Sequence, residues 1–87
     1  METIIRETIT DDLIADEGYR RHPYKCTAGK LTIGYGRNLD DVGISEQEAQ
    51  YLLHRDINAC EMDMNRIFDE FDSMPDSVKR VLINMRF

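Results

Sequence analysis

The chain of 87 residues is long enough for one small domain, which on folding would bury about 60 to 65 per cent of the surface its unfolded form exposes. With 41% hydrophobic and 32% charged residues, the composition is that of an ordinary globular protein and excludes disordered and fibrous classes. Seventeen acidic residues against 11 basic ones leave a net charge of −6, which excludes nucleic acid as a main partner, because affinity for phosphates rests on clustered Lys and Arg.

From Ile4 to Ala15 the residues Ile4, Ile5, Ile9, Leu13 and Ile14 recur at a helical period with acids on the opposite face, which predicts a first helix closed by Gly18. Glu17 then stands in its last turn. The opening twenty residues carry too many charges for a signal peptide, and no apolar run is long enough to span a membrane.

Tyr19 to Cys26 suits an extended segment: Pro23 biases His22 away from helix, and aromatic residues favour strands. Thr27-Ala28-Gly29 supplies a turn, and Lys30 to Tyr35 reads as the returning strand of a hairpin. Gly34 and Gly36 permit positive φ or close backbone approach. A third short strand or loop through Asn38 to Val42 leads to Gly43.

Ser45 and Glu48 have the spacing of a capping box. Behind them Ala49, Leu52, Leu53, Ile57, Cys60 and Met64 form a sustained stripe, which predicts a long helix. A short helix or turn around Ile67, Phe68 and Phe71 follows. Ser73 or Asp72 is expected to cap a last helix with Pro75 in its first turn. There Val78, Val81, Leu82 and Met85 form one apolar stripe while Ile83 and Phe87 lie towards another side. A helix that wants burial on two faces and stops uncapped at Phe87 is expected to continue into a partner segment, or to self-associate through its exposed face. Met62, Met64, Met74 and Met85 are expected to fill the core.

The candidate chemistry lies between Glu17 and Gly36. Cys26 and Thr32 fall on facing strands either side of the turn, with Glu17 at the helix end before them. A carboxyl facing a second ionisable group across a bond is the arrangement of glycoside hydrolysis. Cys26 and Cys60 are too few for a disulfide framework or a zinc site, and are expected to be free thiols. His22 and His54 lack metal-ligand spacing, and Asp69, Glu70, Asp72 and Asp76 lack the glycine and alternation of a calcium loop, so neither metal nor cofactor is expected.

The stretch DEGYRRHPYKCTAGKLTIGYGRNL resembles the active-site region of the phage-type lysozymes, glycoside hydrolase family twenty-four, and the likeness continues through GISEQEAQYLLHRDI and SVKRVLINMRF. The resemblance implies a lysozyme-like α+β fold: an N-terminal helix, a small antiparallel sheet, a long connecting helix and short C-terminal helices. It implies that residues 1–87 are a truncated, single N-terminal lobe, with 75–87 the start of a helical C-terminal lobe beyond the chain. It further implies Glu17 as general acid, Cys26 in the place usually held by Asp as the group that activates the attacking water, and Thr32 as its helper. Tyr24 and Tyr35 are expected to line the cleft as substrate contacts. Arg37, where the family commonly has His, is expected to form a structural bridge with Asp56.

The implied activity is that of a muramidase acting on peptidoglycan glycan strands, made in the host bacterial cytoplasm and reaching the wall at lysis with help from another protein. The alternative is a catalytically silent fragment that serves as a folding, wall-binding or oligomerising module. A helix-turn-helix regulator, prompted by GISEQEAQYLL, lacks a basic recognition helix. A cysteine peptidase lacks a recognisable nucleophile context around Cys26.

Overall fold

The computed structural model describes residues 1–87. Its elements are α1 (Thr3–Glu17), β1 (Arg20–Lys25), β2 (Leu31–Gly34), β3 (Arg37–Asn38), α2 (Glu46–Ile67), a 3₁₀ turn (Phe71–Ser73) and α3 (Asp76–Arg86). This is the expected α+β architecture of helices with a small antiparallel sheet. The chain divides into two compact units, Met1–Ile44 and Ser45–Phe87.

In the first unit, α1 ends where Gly18 adopts φ +69° and its N–H returns to the carbonyl of Ile14 at 3.0 Å. Ile4, Ile5, Ile9, Leu13 and Ile14 remain between 41% and 76% exposed, so the apolar stripe is present but unburied. The sheet has the order β1-β2-β3, antiparallel throughout. Tyr24 pairs with Thr32 and Thr32 with Asn38, while a bulge interrupts the register between Arg20 and Tyr24. The loop after β3 folds back on the start of β2. Asp40 accepts from the Leu31 N–H at 2.7 Å, Lys30 bonds Asp41 at 3.1 Å, and Asn38 and Asp41 exchange two bonds of 3.0 Å.

In the second unit, Ser45 caps α2. Its Oγ accepts from the Glu48 N–H at 3.1 Å, and the Glu48 carboxylate accepts from the Ser45 N–H at 2.9 Å. Replacing Ser45 by Ala removes half of this reciprocal pair and should lower stability by about 1 kcal/mol. Urea denaturation of the two proteins checks that value; equal midpoints would show that the box contributes nothing.

The buried apolar side chains are Cys60, Met64 and Phe71. Cys60 and Met64 continue the α2 stripe, and the 3₁₀ turn that carries Phe71 packs on α2. Asp63 on α2 ties down α3. It accepts from Arg86 Nε at 3.0 Å and from an Arg86 terminal nitrogen at 2.7 Å, and it also pairs with Arg66 one turn away. The Arg86 hydrogen bonds, then those of Arg66, hold its carboxyl below the usual Asp range.

Two expectations are corrected. Of the four methionines assigned to the core only Met64 is buried; Met74 is half-buried, and Met62 and Met85 are 67% and 79% exposed. Neither Asp72 nor Ser73 caps α3. Ser73 lies in the 3₁₀ turn with its hydroxyl donating to the Glu70 carbonyl at 2.9 Å, and Pro75 itself is the N-cap. Met74 is extended, as a residue before proline prefers, which separates Ser73 from the helix.

Candidate active site

Three of the candidate residues belong to one hairpin and the helix before it. The turn between β1 and β2 closes when the Cys26 carbonyl accepts from the Gly29 N–H at 2.8 Å, with Gly29 at φ +78°. The Cys26 N–H donates to the Lys30 carbonyl at 2.9 Å, extending the ladder one step beyond Lys25 and Leu31. Lys25 therefore faces away from the side that carries Cys26, as strand alternation requires.

The backbone N–H groups of Lys30 and Ala28, and more weakly the Thr32 hydroxyl, act on the Cys26 thiol as donors. These donors pull the thiol below its ordinary range, while partial burial works the other way. The Asp40 and Asp41 contacts to Leu31 and Lys30 hold the strand that supplies one of those donors.

Thr32 is 4% exposed, with its hydroxyl 2.9 Å from the Lys30 carbonyl, to which it donates. A hydroxyl has one proton. Here it goes to the Lys30 carbonyl, which leaves the Thr32 oxygen as an acceptor towards any other group. Cys26 and Thr32 lie on one face of the hairpin, one step apart along the ladder. Directly opposed residues share a face of an antiparallel sheet, so Tyr24, Thr32 and Asn38 form one row. The half-buried Tyr24 ring is covered on one side by the Arg20 guanidinium, 5.0 Å from its centroid.

Glu17 stands at the other, open end of the hairpin. Its side chain is exposed and runs against Gly36; it forms no hydrogen bond with Cys26 or Thr32. Tyr35, one residue before that glycine, has its ring 5.8 Å from the ring of Tyr19. Arg37 donates to the Gly43 carbonyl at 3.2 Å, and Asp56 lines a pocket on α2 with Cys60, Asp63, Arg86 and Phe87. No cluster of His, Cys, Asp and Glu could hold a metal ion, and no helix is long and apolar enough to cross a membrane.

Sequence reasoning did not reach Tyr19, the amides of Ala28 and Lys30, or the Asp40 clasp. The alternation of Tyr19 with Tyr35 across the hairpin was the available signal for the first. A family model described as Phage lysozyme matches residues 15–85 of the chain. No curated protein matches it.

Proposed function

The chain belongs to the phage lysozyme family, whose members are lysozyme-like peptidoglycan hydrolases, and on that premise we propose that it is an endolysin-type muramidase. It cleaves the glycosidic bond between N-acetylmuramic acid and N-acetylglucosamine. What supports the reading most is the placement of Cys26 in the β1–β2 turn on the face that carries Thr32, with its thiol pulled below the ordinary range, which favours the anionic form that a water-activating group must take.

In this mechanism Glu17 gives its proton to the leaving glycosidic oxygen. The Cys26 thiolate takes a proton from water as the water oxygen attacks the anomeric carbon, and Thr32 holds that water in line. Tyr24, in the Thr32 row, contacts the saccharide. The protein is made in the host bacterial cytoplasm and reaches the wall with the help of another protein.

The test is release of new reducing ends from purified peptidoglycan; intact walls after prolonged incubation would end the proposal. The sulfur has its own signature. Cys26→Ala should lower the rate by on the order of 10²-fold, and Cys26→Asp should retain it. Alkylation of Cys26 should inhibit. The base must be deprotonated, so the rate climbs as pH rises through the Cys26 pKa. A carboxyl, with a reference value of about 3.9, moves that ascending limb to lower pH in Cys26→Asp. A limb that stays in place would remove Cys26 from the role of base.

A further inference from the structure

Two contacts away from the Cys26 turn join the end of α1 to the β2–β3 turn. Gly36 has φ +89°, and a Cβ added there would lie 3.2 Å from Glu17 Oε2, 3.3 Å from Cδ and 3.5 Å from Cγ. The outer half of the glutamate therefore runs along the backbone of residue 36, in space that any side chain at that position would crowd. The second contact is the Tyr19–Tyr35 ring pair, with centroids 5.8 Å apart and planes tilted by 52°, within the favourable range for aromatic pairs.

The register connects them. Arg20 pairs with Gly34 at the end of the β1–β2 ladder, and Tyr19 and Tyr35 are the next residues outward on the two sides. The ring pair thus fastens the end of α1 to the β2–β3 turn beside the point where the glutamate meets the glycine. An exposed glutamate with three rotatable bonds otherwise samples several rotamers, and an acid delivers its proton only from those that reach the leaving oxygen.

We infer that Gly36 and the Tyr19–Tyr35 pair are positioning residues that hold the Glu17 carboxyl in one direction; the catalytic consequence rests on the reading of Glu17 as general acid. Scalar couplings along the Glu17 side chain, measured by NMR on the intact 87-residue chain, report its rotamers directly. One dominant rotamer is expected for the parent, averaging over several in Gly36→Ala and Tyr19→Ala, and recovery of the single rotamer in Tyr19→Phe, which keeps the ring.

Gly36→Ala is also strained by its positive φ, so Tyr19→Ala, which leaves that backbone untouched, decides the matter where the glycine variant fails to fold. In peptidoglycan hydrolysis Tyr19→Ala should lower kcat by roughly 10- to 10²-fold, the scale on which a misplaced catalytic group acts, while KM stays within about twofold. Averaged couplings in the parent, or unchanged couplings in Tyr19→Ala, overturn the inference. A parent with a single Glu17 rotamer that Tyr19→Ala disperses, but with no hydrolysis, supports the positioning and overturns the reading of Glu17 as acid.

Discussion

Glu17→Gln should reduce peptidoglycan hydrolysis by on the order of 10²- to 10⁴-fold, the contribution usual for a positioned general acid. The amide has nearly the shape of the carboxyl and can lie along Gly36 in the same way, but it has no proton to give the departing sugar oxygen. Leaving-group protonation is the step a glycosidic oxygen cannot do without, since an alkoxide is a poor leaving group at neutral pH. Because Glu17 is exposed, the substitution should change stability by less than about 0.5 kcal/mol. Thermal melts of the two proteins should therefore superimpose while the release of reducing ends collapses. Equal rates in parent and variant would remove the general acid from the mechanism; a collapse of both stability and rate would reassign Glu17 to structure.

Phe71→Ala should be the most damaging single substitution for folding. Phe71 is 2% exposed and is the largest fully buried side chain, and truncating a buried phenylalanine to alanine costs about 3 to 5 kcal/mol through lost transfer energy and the cavity left behind. With total stability for small domains of about 5 to 15 kcal/mol, that loss consumes a large share of it. On the scale of a small domain it corresponds to a fall in Tm of roughly 15 to 30 °C. Met62→Ala is the matched control: Met62 is 67% exposed, and its truncation should cost under about 0.5 kcal/mol. Circular dichroism melts compare them directly. A Phe71→Ala protein as stable as Met62→Ala would mean that the Ser45–Phe87 unit draws its stability from somewhere other than this small core.

The acidic side of the second unit behaves as its composition implies, with Asp69, Glu70, Asp72 and Asp76 all exposed. Asp63 is different: tethered by Arg86 and Arg66, it is a cross-element lock between α2 and α3 that no local pattern announces. Its partner lies 23 positions along the chain.

Local chemistry was legible from the residues alone. The α1 period, the Gly18 stop, the Thr27–Gly29 turn, the returning strand and the Ser45–Glu48 box each depend on groups within a few positions of one another, so neighbouring residue types suffice to specify them. Only the tertiary structure decided which apolar side chains are buried, because periodicity identifies a face and burial depends on what packs against it. Met64 lies under cover and Met62, two residues away, does not. The same holds at the site: Glu17 meets a glycine 19 residues away, where the end of α1 lies against the β2–β3 turn. Those arrangements depend on distances between segments, which composition and spacing do not encode.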